Sequence, residues 1–175
     1  LPDYLAPGVF VEETSFRSRT IQGVGTATAL FIGEHRQGPV GKLVPVTGTG
    51  DYEAVFGEID GTADSLGLAM HAFFSNGGRR ACVVRMADAA TAADYETFYR
   101  GAGDALREID VIVHHDQTWA AGGAGNAVIS ATIAYCEAAG HCMVIVDPPR
   151  EHTLATAADV AALAPPDSSY ACLYY

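Results

Sequence analysis

Residues 125–146 read GNAVISATIAYCEAAGHCMVIV and contain the pattern that decides the fold. Gly125–Ala139 is predicted to form a helix, and His141–Val146 is the most strongly apolar strand pattern in the chain. A helix joined to a buried strand by a short connection is the repeating unit of an α/β protein.

The same alternation continues on both sides of this stretch. Predicted strands occupy residues 26–33, 43–46, 80–86, 109–114 and 170–175, and predicted helices occupy residues 49–57, 64–76, 92–106 and 153–163. Strands and helices of these lengths imply right-handed crossovers. We therefore predict an α/β fold with a largely parallel or mixed sheet flanked by helices, preceded by an extended N-terminal arm.

The first 25 residues differ from the rest of the chain. Pro7-Gly8 predicts a turn, and Val9-Phe10-Val11-Glu12-Glu13 predicts a strand that has no local hairpin partner. The predicted organisation is an N-terminal arm and linker over residues 1–25 and an α/β core domain over residues 26–175. The chain stops inside an apolar strand pattern, so we expect the core to be incomplete at its C-terminal end.

Composition narrows the classes of function. The sequence is 49% hydrophobic and carries a formal net charge of −11, with 10 Lys and Arg residues against 21 Asp and Glu residues. Phosphate binding depends on Lys and Arg, so direct nucleic-acid binding is not expected. Neither a signal peptide nor an apolar run long enough to insert in a membrane is visible. The four cysteines are expected to be buried free thiols.

Several polar residues are candidates for a chemical site. His114, His115 and Asp116 follow a predicted strand, and His141, Asp147 and His152 are candidates to lie near them. Adjacent histidines on a strand point to opposite faces, so only one of His114 and His115 can join such a site. The glycine-rich residues 122–126 match no phosphate-binding motif, and no nucleophile elbow is present. We predict no enzyme activity and no catalytic, cofactor-binding or metal-binding residue. Two alternatives remain open, namely a small α/β enzyme with a site near His114, His115 and Asp147, and a strand-addition binding module.

An ordered set of segments resembles one known family. Tyr4–Glu13 is similar to the opening motif of contractile tail sheath proteins, which include phage tail sheaths, R-type tailocins and the sheaths of contractile injection systems. The segments that resemble later landmarks of this family, in the same order, are Ile21–Gly33, Gly38–Val40, Asp51–Gly57, Ala72–Arg85, Ala134–Glu137, Val144–Pro149 and Ser168–Tyr175. The resemblance identifies the chain as the N-terminal part of such a protein.

The resemblance implies a structural role. Sheath subunits stack as six-fold rings or a helical array around an inner tube, and contraction drives the tube through the envelope of a target cell. The implied partners are other copies of the chain, the inner tube protein, and baseplate and tail terminator proteins. Val9, Phe10, Val11, Glu12 and Glu13 are implied to form an inter-subunit strand. The implied location is a virion or tail-like particle assembled in the bacterial host cytoplasm.

Overall fold

The computed structural model describes residues 27–60, 65–120, 125–149 and 156–174. These ranges contain six strands and five helices. The strands are β1 (Ala29–Glu34), β2 (Val44–Val46), β3 (Ala81–Met86), β4 (Val111–Thr118), β5 (Met143–Asp147) and β6 (Ala171–Leu173). The helices are α1 (Thr49–Phe56), α2 (Ser65–Ser75), α3 (Ala92–Ala102), α4 (Ala127–Ala139) and α5 (Ala157–Ala162).

The strands form one mixed sheet in the order β2-β3-β1-β4-β5-β6. All neighbours are parallel except β2, which pairs antiparallel with β3. Leu30 of β1 lies opposite Cys82 of β3 and Ile112 of β4. The predicted α/β class with a largely parallel or mixed sheet is confirmed.

Two apolar clusters cover the two faces of the sheet. Leu30 and Ile32 of β1 belong to a cluster that also contains Tyr99 of α3 and Ile133 of α4. The alternate β1 residue Phe31 points into a second cluster, which lies under α1 and α2. A central strand that is buried on both faces requires a continuous apolar run, and this explains why β1 is apolar at every position except Gly33 and Glu34.

Local sequence signals fix both ends of helix α3. Thr91 and Asp94 form a reciprocal capping box at the start of α3, and the Asp94 carboxylate accepts hydrogen bonds from the Thr91 amide and hydroxyl, both at 2.7 Å. At the other end, α3 stops at Ala102 because Gly103 adopts a φ of 47°. A 3-10 turn over Gly103–Leu106 follows, so the single helix predicted over residues 92–106 is wrong in its last turn.

One strand is longer than its apolar pattern predicted. The prediction ended at His114, but β4 continues through His115, Asp116, Gln117 and Thr118. The strand is irregular between Val113 and Thr118, where its register with β5 shifts. None of the helices in the described ranges combines the length and hydrophobicity needed to cross a membrane.

Candidate functional site

The segment Val9–Glu13, predicted to exchange between subunits, lies outside the described residues. Its pairing stays a prediction, as does the division into an arm over residues 1–25 and a core over residues 26–175. The described part of the chain contains the residues of the alternative enzyme site, the edges of the sheet and an exposed apolar surface.

The natural place for a ligand in this topology is the carboxyl end of β1 and β4. From β1 the chain passes to β3 on one side, and from β3 it returns to β4 on the other side of β1. Open α/β sheets bind ligands in the crevice that such a reversal creates. The residues at this crevice are Glu34 at the end of β1 and His115 and Asp116 in β4.

Side chains of the protein itself occupy this crevice. The His115 Nε2–H donates to the Glu34 carbonyl at 2.8 Å, and its ring lies against Gly33, where any β-carbon would collide with it. The Asp116 carboxylate accepts from the Glu34 amide at 3.1 Å. The Glu34 carboxylate accepts from the Ala89 amide at 2.6 Å. These contacts tie β1, β4 and the turn before α3 together at the place where an enzyme would bind its substrate.

His114 points to the opposite face and is 2% exposed. The Thr132 hydroxyl of α4 donates to the Val128 carbonyl at 3.0 Å and accepts from His114 Nε2 and from the Tyr99 hydroxyl, both at 2.9 Å. The Thr132 hydroxyl therefore uses its one donor position and both of its acceptor positions. Burial lowers the pKa of His114 to about 4, so the ring is neutral at pH 7.

The opposite orientations of His114 and His115 confirm the expectation that only one of them can serve any single site. His141 does not join either of them, which corrects the expectation that it lies near His114, His115 and Asp116. The register places Val111 beside Met143, so His141 lies at the level of the start of β4. His141 precedes β5 and Asp147 ends it, so the two residues lie at opposite ends of one strand. That separation is about 20 Å for six extended residues. His152 lies outside the described residues.

No group of three or more His, Cys, Asp or Glu side chains in the described ranges is arranged to hold a metal ion. Ser130 is exposed on α4, and the Ser168 hydroxyl donates to the Glu137 carboxylate at 2.7 Å. Neither serine has a histidine among the partners that the structure gives it.

The glycine-rich connection before α4 ends in a capped helix. The Asn126 side-chain oxygen accepts from the amides of Val128 and Ile129, at 2.9 and 3.2 Å. Its amide group donates to Gln117 Oε1 and to the Thr118 carbonyl. The helix start that would attract a phosphate is therefore occupied by a side chain of the protein. Residues 121–124 lie outside the described ranges.

A part of the sheet opposite α4 is only half buried in the described structure. We call Val111, Val113, Met143, Ile145 and Cys172 the half-covered face. Cross-strand register places Val111 beside Met143 and aligns Val113, Ile145 and Cys172. All five are of intermediate exposure, whereas Ile112, Val144 and Val146 on the other face are buried. Apolar surface of this kind is typical of a protein–protein contact.

The two edge strands of the described sheet are short. At β2, the exposed Pro45 lacks a backbone donor. At the other edge β6 has three residues, all of intermediate exposure, and Tyr174 beyond it is 64% exposed. A short edge strand limits unwanted pairing, while its outer backbone groups remain available for an added strand.

The sequence does not predict the contacts of Arg85. Its guanidinium donates to the Gly38 carbonyl at 2.9 Å, and its own carbonyl accepts from the Gly41 amide at 2.8 Å. Gly38 has a φ of 102° and lies so close to the Phe56 ring that a β-carbon would stand 2.6 Å from it. The segments Gly38–Val40 and Asp51–Gly57, which resemble parts of sheath proteins, therefore pack together beside β3.

No protein-family model matches the sequence, and no curated protein matches it. Solved structures do match the fold. The helical sheath of the anti-feeding prophage (AFP) in its contracted state, determined by cryo-EM, aligns with a TM-score of 0.56 at 18% identity, covering 97% of this chain and 44% of that one. A chain from the AFP baseplate in its contracted state aligns with a TM-score of 0.54 at 16% identity, covering 98% of this chain and 47% of that one.

The protein is thus an α/β domain built on a mixed, mainly parallel six-stranded sheet. More particularly, it has a contractile tail sheath-like fold, as the sequence resemblance predicted. The chain spans less than half the length of either AFP chain.

Proposed function

We propose that the chain is a structural part of a contractile tail sheath and carries no active site. The observation that carries the proposal is the alignment of almost the whole chain, 97% of it, with the AFP helical sheath. The ordered set of sheath-like segments supports the same function independently, because it depends on the amino-acid sequence alone.

In this proposal the subunits form stacked six-fold rings or a helical array around an inner tube. Val9–Glu13 adds as a strand to a sheet in a neighbouring copy, so backbone hydrogen bonds connect the subunits while the rigid cores rotate. Residues 15–25 serve as the joint. Contraction releases free energy stored at assembly and drives the tube through the envelope of a target cell.

The proposed partners follow from that arrangement. They are further copies of the chain, the inner tube protein, and the baseplate and tail terminator proteins at the two ends of the tail. The particle is proposed to assemble in the bacterial host cytoplasm.

The described contacts support a structural role over an enzymatic one. His115, Asp116 and Glu34 are engaged with the backbone at the carboxyl end of the sheet, and His114 is held neutral inside the core. An enzyme of this topology binds its substrate at that place. The half-covered face supports the proposal further, since such a surface is typical of a subunit that is covered by protein.

Electron microscopy of the purified full-length protein tests the proposal. We expect hollow striated tubes from the wild type. Val11→Pro should abolish them, because proline removes the backbone donor and cannot continue a strand ladder. Val11→Ala keeps that donor and Ser18→Pro lies in the proposed joint, so both control variants should still form tubes.

Two results would contradict the proposal at different levels. Long tubes formed by Val11→Pro would reject the strand exchange but leave the sheath function standing. Folded wild-type protein that never forms tubes, with or without its inner tube protein, would reject the sheath function itself.

A further inference from the structure

Two buried cysteines meet where α4 joins β5. Cys136 lies in the last turn of α4, and Cys142 immediately precedes β5. Gly140, with a φ of 71°, ends the helix and turns the chain back so that the two side chains face each other. The sulfur atoms are 3.4 Å apart, within hydrogen-bonding distance, and the residues are 0% and 3% exposed.

The spacing of these sulfurs is close to that of a disulfide. An S–S bond is about 2.05 Å long, so the sulfurs must approach by about 1.4 Å. The bond would close a short loop that already turns at Gly140, and a side-chain movement of this size requires no change in the order of the strands.

The other two cysteines are placed where they cannot compete. Cys82 in β3 and Cys172 in β6 are separated by three intervening strands. Four inter-strand steps amount to about 19 Å, and Cys82 is three steps, about 14 Å, from β5, which Cys142 precedes. Cys172 aligns with Ile145 on the half-covered face, three residues beyond Cys142 along β5. Only Cys136 and Cys142 are therefore positioned to react with each other within one folded chain.

The surroundings favour Cys142 as the reactive thiolate. In the neutral pair the Cys142 thiol donates to the Cys136 sulfur. When Cys142 loses its proton, the Cys136 thiol donates to the thiolate, and this hydrogen bond, together with the nearby His141, lowers the pKa of Cys142. His141 lies within hydrogen-bonding distance of the carbonyls of Leu106 and Ala139 through its two ring nitrogens, at 3.1 and 3.2 Å, and these bonds favour the protonated ring and raise the pKa of His141. His141, the chain neighbour of Cys142, also lines a surface cleft of about 580 Å³ with Arg107 and Tyr135.

We propose that Cys136 and Cys142 are a redox-active thiol pair that hydrogen peroxide converts to an intramolecular disulfide. The Cys142 thiolate attacks one peroxide oxygen, the O–O bond breaks, and the departing oxygen leaves as water after taking up a proton. The Cys136 sulfur then attacks the resulting sulfenic acid, the S–O bond breaks, and the second oxygen leaves as water. Two thiols are oxidised by two electrons in total, and one peroxide is reduced to two waters.

The bridge would tie the end of α4 to the start of β5, the neighbour of the edge strand β6. A thiol pair of this kind stays reduced in a bacterial cytoplasm and becomes oxidised outside it. The inference concerns two side chains within one chain, so it does not depend on the proposed sheath function.

Peptide mapping of the native chain after peroxide treatment tests the pair. Cleavage after Glu137 separates the two cysteines, so the two fragments stay linked only through a disulfide. We expect loss of two of the four thiols, a mass decrease of about 2 Da, and a linked Cys136–Cys142 fragment that dithiothreitol separates. The unfolding midpoint should rise by about 6 °C on oxidation.

Single substitutions provide the controls. Cys172→Ala should retain the linked fragment, whereas Cys142→Ala should lose it. In Cys136→Ser, whose hydroxyl still donates to the Cys142 thiolate, the Cys142 sulfenic acid should persist and react with dimedone, and its absence would contradict the assigned order of steps. The wild-type map decides the proposal even where a variant fails to fold. Four intact thiols at a peroxide dose that oxidises the thiol of a small peptide, or a bridge to Cys82 or Cys172, would overturn it.

Discussion

Thr132→Val is the substitution that most directly tests whether His114 is a structural residue. Valine has nearly the shape of threonine but lacks the hydroxyl that Tyr99 and His114 both contact at 2.9 Å. Thr132 is fully buried, so both partner groups would remain unpaired inside the core. An unsatisfied buried polar group costs about 1–3 kcal/mol, and two of them predict a loss of about 3 kcal/mol.

Thr97→Val is the matched control. The Thr97 hydroxyl donates to the Ala93 carbonyl at 2.8 Å, in the same i−4 geometry as the bond from Thr132 to Val128, but Thr97 is exposed on α3. Water replaces the lost partner there, so its effect should stay within about 0.5 kcal/mol.

The assay is urea unfolding of both variants, followed by circular dichroism, with thermal unfolding as a second measurement. Each kcal/mol lowers the midpoint by roughly 2–4 °C for a chain of this size, so Thr132→Val should lose about 9 °C. Equal effects of the two substitutions, or a loss below about 1 kcal/mol in Thr132→Val, would refute the view that His114 belongs to a buried structural network.

Two further pairs of variants test the pH dependence of stability and the close packing at Gly33. The low pKa of His114 makes the native protein lose stability as pH falls from 6.5 towards about 4, by about 3 kcal/mol from this residue. His114→Gln should remove this part of the pH dependence of the unfolding free energy, as measured by urea titrations at several pH values. His141 has the opposite sign, because its raised pKa contributes stability at low pH that is lost as pH rises, so His141→Gln should make the acid loss steeper. Gly33→Ala should destabilise the fold by at least about 2 kcal/mol, because its β-carbon meets the His115 ring, whereas Gly101→Ala, in open space on α3, should stabilise it by about 0.5 kcal/mol. An unchanged pH slope in both histidine variants, or a tolerated Gly33→Ala, would contradict these assignments.

The elements of the fold were predictable because each has a local signal. The apolar runs that became β1, β3 and β5 and the helical spacing of Leu66 and Met70 in α2 depend on neighbouring residues alone. Strand order and the antiparallel pairing of β2 were not predictable, since they are set by contacts between distant parts of the chain.

The site residues show the same limit. The polar half of β4 was missed because His115, Asp116 and Gln117 resemble a loop, and their place in a strand depends on hydrogen bonds to β1 and α4. The network of Tyr99, Thr132 and His114 has no sequence signature. The separation of His141 from Asp147 did have one, because the two residues stand at opposite ends of a single predicted strand.

The position of Val9–Glu13 in the assembled particle tests the account most directly. A cryo-EM reconstruction of tubes formed by the full-length protein should place this segment as a strand in the sheet of a neighbouring copy. Pairing of Val9–Glu13 with a strand of its own chain, in tubes that hold together through other contacts, would contradict the account.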